Sequence, residues 1–154
     1  MSRTLNLILA AALFLATITA WVPAAQADEA INTTADNVAI LGYDAVAYFT
    51  ESQPRQGDPQ FEHVWQDANW RFASAEHRDL FAADPRRYAP RYGGFCAGAM
   101  ALGWRAPIDP EAWTIIDDRL YLAFDKPGIE EFATDPDTNV AKADANWQQL
   151  GQTE

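Results

Sequence analysis

The side chain with the most distinctive chemistry is Cys96, the single cysteine among 154 residues, which ends the segment Tyr92-Gly93-Gly94-Phe95-Cys96. A chain with one cysteine can form no internal disulfide and cannot use the two-thiol chemistry of a CxxC motif. The two glycines predict positive φ or a close backbone approach just before the thiol. We expect Cys96 to lie in the first turn of a short helix, where backbone N–H groups and the helix dipole favour a thiolate.

A soft metal site is the first interpretation of this thiol. Met100 follows Cys96 by four residues, so on a helix the two side chains share one face. A thiolate with a thioether is a ligand pair that suits Cu(I), and His77 or His63 could complete three-coordination. Zinc fits less well, since it usually takes four N, S or O ligands. The pattern therefore favours copper, held by Cys96 with help from Met100 or His77.

Two other interpretations of Cys96 belong to different classes of protein. In one, Cys96 is the reactive thiolate of a redox enzyme, which would need a reductant from outside the chain. In a related nucleophilic mechanism, His63 or His77 would have to lie beside Cys96 in space. In the other, Cys96 is a buried and inert residue of a structural or interaction domain, as many free cysteines are. The residue types and their spacing leave these alternatives open.

Aromatic side chains are numerous for this length and could line a small-molecule pocket with Cys96 at its floor. Most of them are expected in the core instead, because small domains depend on the burial of large aromatic side chains. The residues concerned are Trp65, Trp70, Trp104, Trp113, Trp147, Tyr43, Tyr48, Tyr92 and Tyr121.

Several of these aromatic side chains lie in predicted short strands. Trp70 and Phe72 alternate with Arg71 in a predicted β-hairpin over 61–73 that turns at 67–68. A second hairpin is predicted over 113–124, with its turn at 117–118. The β-branched and aromatic stretch 37–50 predicts two further extended pieces around a turn. These segments indicate small antiparallel sheets.

Short helices separate and follow the hairpins. Ser74 is a typical N-cap residue, and Pro85 is typical of a first helical position. Glycines at 94 and 103 bound the helix that is expected to carry Cys96. Helices are predicted at 75–84, 85–92, 95–102, 128–135 and 140–150. Hairpins packed with short helices make a small α+β domain.

Four segments together resemble the YHS-domain family, in its exported single-domain branch. They are ILGYDAVAYF, FASAEHRDLFAADPRRYAPRYGGFCAGAMALG, AWTIIDDRLYLAF and KADANWQQL. The resemblance covers nearly all of Asn37–Leu150 and implies a YHS-type domain over 37–150. Tyr92, Gly93, Gly94 and Cys96 match the Tyr-Gly-Gly-x-Cys segment of that branch. Some of its members carry selenocysteine at the position of Cys96, which implies redox or soft-ligand chemistry at this atom.

The resemblance does not extend to the usual metal site of small YHS domains, which resemble metal-binding modules. Ala47 and Phe49 stand where the family pattern has cysteine and methionine. Ala73 and His77 stand at its two later cysteine positions. Of that set, His77 alone could still bind a metal.

The first 27 residues are typical of a secretory signal peptide. Arg3 precedes an apolar run from Leu5 to about Val22, which leads into the A-x-A sequence at 25–27. Cleavage before Asp28 would leave 127 residues in the periplasm or secreted, with a loose segment over 28–36. A lone thiol in such a compartment meets oxidants, which argues against a purely structural role.

Acidic residues dominate the composition. The chain has 22 acidic and 11 basic residues, a formal net charge of −11, and removal of Arg3 with the leader makes it −12. Such a charge repels nucleic acid phosphates and anionic lipid headgroups, so we expect neither a nucleic acid partner nor stable membrane insertion after cleavage. The mature length suits one domain with its own core. A metal ion or a small molecule is the expected partner.

Overall fold

Residues 30–150 form β-hairpins and short α-helices in a computed structural model. The predicted signal peptide, 1–27, lies outside the described residues. The strands are β1 (Asp58–Trp65), β2 (Ala68–Phe72), β3 (Asp109–Ile116) and β4 (Arg119–Ala123). The helices are α1 (Ala47–Thr50), α2 (Ala75–Ala83), α3 (Pro85–Tyr88), α4 (Ala97–Ala101), α5 (Lys126–Phe132) and α6 (Pro136–Leu150), with short 3-10 helices at Ile40–Gly42 and Arg91–Gly94. The predicted small α+β fold is confirmed.

The two predicted hairpins are present as separate antiparallel sheets, β1 with β2 and β3 with β4. Their two-residue turns have positive φ at both positions, 48° and 55° at Gln66 and Asp67, and 49° and 57° at Asp117 and Asp118. Positive φ at both turn residues matches the right-handed twist of the paired strands. The second turn lies where the sequence predicts it, and the first lies one residue earlier.

The prediction of two extended pieces over 37–50 is wrong. This stretch contains the first 3-10 helix and α1. The cause is Asp44, whose Oδ1 accepts hydrogen bonds from the backbone N–H groups of Val46 at 2.8 Å and Ala47 at 3.2 Å. A carboxylate that satisfies these donors favours a helical turn over a strand, despite the β-branched and aromatic residues.

The segment 28–36, predicted to be loose, is described from residue 30 onward. There it forms hydrogen bonds both to the Gly93-Gly94 turn and to Ile40. The Asn32 N–H donates to the Gly93 carbonyl at 2.8 Å, and the Asn32 carbonyl accepts from the Ile40 N–H at 3.0 Å. The Asn32 side chain also donates to the Gly94 carbonyl at 3.0 Å. Residues 30–32 therefore connect the two 3-10 helices.

The helix predictions are confirmed in type, and the structure shifts their bounds. Ser74 caps α2, as predicted, by accepting from the His77 N–H at 3.1 Å. Helix α5 begins at Lys126, two residues earlier than predicted, because Asp125 accepts from the Gly128 N–H at 2.8 Å. Helix α6 begins at Pro136, four residues earlier than predicted. Proline suits a first helical position because it has no N–H of its own that would lack a partner there.

Aromatic rings fill the core beside the first hairpin. The Phe81 ring lies 5.0 Å from the rings of both Trp70 and Phe72, centroid to centroid. All three side chains are fully buried, so this cluster fixes α2 on the hairpin. Across residues 30–150, the helices are too short or too polar to cross a membrane.

Candidate functional site

Cys96 lies directly before α4 and is held by backbone bonds on both sides. Its N–H donates to the Ala106 carbonyl at 3.1 Å, and its carbonyl accepts from the Met100 N–H at 2.9 Å. It also forms a parallel bridge with Leu122 of β4. The thiol residue thus occupies the N-cap position of α4, one residue ahead of the predicted first turn, and is 6% exposed.

An apolar groove of about 720 Å³ lies beside Cys96, between α4, the end of β4 and α5. Cys96 and Gly98 both line it, and a Cβ placed on Gly98 would lie 4.0 Å from Cys96 Sγ. Leu102, Trp104 and Phe124 form an apolar rim that is 78, 53 and 61% exposed. Large apolar side chains grouped in this way are typical of a binding surface.

The groove has a polar end on the α5 side. Glu131, Thr134, Asp135 and Asn139 line it there. The two carboxylates give this end a negative charge, and no Lys or Arg is among the described residues that line the groove. The negative charge of this end disfavours an anion in the groove.

Met100 lies one helical turn after Cys96, as its spacing predicts. Its side chain is fully buried and does not line the groove. Within the described part of the chain it belongs to the same core cluster as Ala97 and Leu122. Cys96 belongs to this cluster as well and in addition lines the groove, whereas Met100 does not line it.

His77 takes part in a different cluster. Its Nδ1 lies 2.6 Å from Asp44 Oδ2, and its Nε2 lies 3.1 Å from Thr50 Oγ1. Both ring nitrogens therefore have partners other than Cys96. The other histidine, His63, lies on β1 with its ring 6.1 Å from that of Phe81. Neither histidine lines the groove.

The hydrogen bonds of His77 to Asp44 and Thr50 occupy both ring nitrogens in this structure. Residues 30–150 also contain no group of three or more His, Cys, Asp or Glu side chains that could hold a metal ion. Copper at the Cys96 thiol stays a prediction, with Met100 as the nearer of the two expected partners.

The Tyr92-Gly93-Gly94 turn has the conformation that the glycines predict. The φ angles are 59°, 61° and 81° in order. The Tyr92 hydroxyl donates to Asp144 Oδ1 at 3.0 Å. Burial, and after it the charge of Asp144, raises the pKa of Tyr92, so the hydroxyl stays protonated and keeps donating. This turn anchors α6 to the segment that leads into Cys96.

Sequence reasoning identified the thiol and missed most of the groove around it. Of the nine aromatic residues considered as pocket walls, Trp104 lines the groove. Leu102 and Phe124 were not singled out, because they end a predicted helix and a predicted strand. Leu102 and Trp104 flank Gly103, which ends the predicted helix. Two large apolar side chains so close to a helix end were the one signal in the sequence for an exposed apolar surface.

The structure shows the arrangement of hairpins and short helices. The resemblance to the YHS-domain family stays a prediction, based on the four sequence segments quoted above. Comparison of the chain with known protein families, with curated proteins and with solved structures finds no match.

Proposed function

We propose that this protein binds a small, apolar, uncharged or cationic molecule in the groove beside Cys96. The observation that carries the proposal is the exposed apolar rim of Leu102, Trp104 and Phe124 around one cavity. Apolar area left in water is unfavourable, so a ligand that covers the rim gains its transfer free energy. The volume of about 720 Å³ lies within the usual range of small-molecule sites.

Cys96 has a defined part in this proposal. It is mostly buried and lines the groove, so a bound molecule covers its remaining exposed surface. A sulfur atom is polarisable and makes favourable contacts with aromatic ligands. The thiol therefore serves as a contact atom, and its accessibility reports whether the groove is filled.

The neutral dye N-phenyl-1-naphthylamine tests the groove directly. We expect one molecule to bind per chain with a rise in fluorescence, and to slow the alkylation of Cys96 by iodoacetamide. Leu102→Ser removes one apolar rim side chain and should weaken the dye about tenfold, since partial burial of a leucine is worth about 1.5 kcal/mol. Gly98→Val should weaken it further, because its side chain fills the space beside Cys96 Sγ.

Val64→Ser is the matched control for this experiment. Val64, like Leu102, is an exposed apolar residue, with 63% of its surface accessible. Unlike Leu102, it lies on β1 and does not line the groove. The dye should bind this variant as it binds the wild type. Equal binding to wild type and Leu102→Ser, or no binding at all, would contradict the proposal. A thiol that no reagent alkylates at any pH would instead support an inert structural cysteine.

Copper bound at Cys96 is a second proposal, favoured by the one-turn separation between Cys96, the N-cap of α4, and Met100 within α4. Cys96→Ser replaces the soft ligand with a hydroxyl and should abolish Cu(I) binding, while Met100→Leu should weaken it. His77→Ala should leave Cu(I) affinity unchanged, because its ring is bonded to Asp44 and Thr50. A competition titration against a chromophoric chelator measures all three. Equal competition by wild type and Cys96→Ser excludes the thiol as a copper ligand.

A further inference from the structure

Asp44, His77 and Thr50 form a chain of hydrogen bonds, and none of the three lines the groove beside Cys96. Asp44 Oδ2 lies 2.6 Å from His77 Nδ1, and His77 Nε2 lies 3.1 Å from Thr50 Oγ1. A carboxylate, an imidazole and a hydroxyl in this order and at these distances can activate the hydroxyl as a nucleophile. The cluster therefore has the geometry of a nucleophile, its base and the group that orients the base.

The carboxylate at the inner end of this chain is a fixed acceptor. Asp44 is fully buried. Its two oxygens accept from three backbone N–H groups, those of Val46, Ala47 and Ala73. An ionised carboxylate has no proton to donate, so the imidazole carries its proton on Nδ1 and donates it to Asp44. Nε2 of the neutral ring is then an acceptor, and it faces the Thr50 hydroxyl.

The imidazole is held by more than this one bond. The His77 backbone N–H donates to the Ser74 side chain at 3.1 Å in the cap of α2, and His77 is 9% exposed. A ring that is already oriented needs little rearrangement to take a proton at its other nitrogen. Glu51 Oε1 lies 3.9 Å from Nε2 and is an opposite charge that faces the ring once it becomes an imidazolium.

The hydroxyl at the outer end of the chain is open to solvent. Thr50 is the last residue of α1 and is exposed. Its Oγ1 lies 3.2 Å from the Val46 carbonyl oxygen and 3.1 Å from His77 Nε2, so the single hydroxyl proton can be donated to either acceptor. When the proton is donated to Nε2, an oxygen lone pair can attack a molecule that arrives from solvent.

We propose that Thr50 is a nucleophile that takes an acyl group from an activated ester, with His77 as its base. Thr50 Oγ1 attacks the acyl carbon, its proton passes to His77 Nε2, and the bond between the acyl carbon and the leaving oxygen of the ester breaks. The imidazolium then gives the proton to the leaving group or to water, and the product is an ester on Thr50. Asp44 is a positioning residue, since it acts through His77. This activity is independent of ligand binding in the groove.

The activated ester p-nitrophenyl acetate tests this site. We expect a burst of nitrophenolate of about one equivalent per chain and, in a peptide mass map, an acetyl group on Thr50. Thr50→Val keeps the shape of the side chain without its hydroxyl, so both signals should be lost. Thr50→Ser keeps the hydroxyl and should keep both signals. Acetylation of the exposed Lys126 amine, which needs no His77, gives the reference for the reagent.

Thr134 is the matched control in the same chain. It is exposed, as Thr50 is, but its Oγ1 donates to the Glu131 carbonyl at 2.7 Å. We expect no acetyl group on Thr134, and Thr134→Val should give the same burst as the wild type.

His77→Gln tests the base. General bases contribute about 10²–10⁴-fold in rate, so acetylation of Thr50 should slow by at least about 100-fold in this variant, with thermal unfolding as the check that it is folded. The two substitutions at the exposed Thr50 decide the proposal even if His77→Gln does not fold. No acetyl group on Thr50, an equal burst from wild type and Thr50→Val, equal acetylation of Thr50 and Thr134, or an unchanged rate in folded His77→Gln would each overturn it.

Discussion

Gly93→Ala is expected to destabilise the fold by at least about 2 kcal/mol. Gly93 has a φ of 61°, and a Cβ built on it would lie 1.9 Å from the Ala30 carbonyl oxygen. The next atoms, at 3.0 and 3.3 Å, are the Ala30 carbonyl carbon and the Ile31 Cα. All three are backbone atoms, so no side-chain rotation can relieve the clash.

Chemical denaturation of Gly93→Ala measures this effect, and Gly98→Ala is its control. A Cβ on Gly98 would have ordinary contacts, 3.9 Å to the Gly128 carbonyl oxygen and 4.0 Å to Cys96 Sγ. Since Gly98 lies inside α4, alanine there should be neutral or stabilise by up to about 1 kcal/mol. If Gly93→Ala unfolds at the same denaturant concentration as the wild type, residues 30–31 do not pack against this turn.

Gly94→Ala should also destabilise, but by less than Gly93→Ala. Its φ is 81°, and an added Cβ would lie 2.5 Å from Ile40 Cγ2, a side-chain atom that can shift. The sequence predicts special glycines here because two of them precede the thiol. It does not predict the partners, Ala30 and Ile40, which lie more than 50 residues away in the chain.

Local chemistry explains why the hairpins and capped helices were predictable. The turn at 117–118 is made of aspartates, which tolerate positive φ, and the flanking strands pair in antiparallel register across it. Ser74 caps α2 through a bond three residues away, within reach of a sequence pattern. By contrast, α1 depends on Asp44, whose carboxylate also bonds to groups 29 and 33 residues away. No local pattern reports such contacts.

The residues of the candidate site also fall into two groups, those that local sequence predicts and those that depend on tertiary contacts. Cys96 stands out by being the single cysteine, and Met100 by its spacing of four residues. The groove is lined by residues from several separate elements, and Leu102 and Phe124 are left exposed at its rim. His77 was a candidate ligand because histidine binds metals, but burial and the carboxylate of Asp44 give it a structural partner. Residue type alone could not distinguish these roles.

Asp44→Asn is expected to cost about 3 kcal/mol or more of folding free energy, although the side chain keeps its size. Asp44 is fully buried and accepts through both oxygens. Oδ1 accepts from the Val46 and Ala47 N–H groups, and Oδ2 accepts from the Ala73 N–H at 2.8 Å and from His77 Nδ1 at 2.6 Å.

An asparagine cannot replace these bonds in either orientation. Its amide has one oxygen, so its NH₂ group must face the N–H of Ala73 or those of Val46 and Ala47, and a donor then meets a donor. Glu51→Gln is the matched control, since Glu51 Oε1 lies 3.9 Å from His77 Nε2 at the surface. It should change the unfolding free energy by less than about 0.5 kcal/mol.

The coupling between Asp44 and His77 decides what this histidine does. If His77 is held for stability, the double variant Asp44→Asn/His77→Ala should lose less than the sum of the two single losses, because each change disrupts the same 2.6 Å bond. Urea unfolding of the four proteins gives the coupling free energy. Strict additivity, with Asp44→Asn close to the wild type, would show that the carboxylate does not hold the ring. His77 would then be available as a ligand after all, and His77→Ala should lower Cu(I) affinity rather than stability.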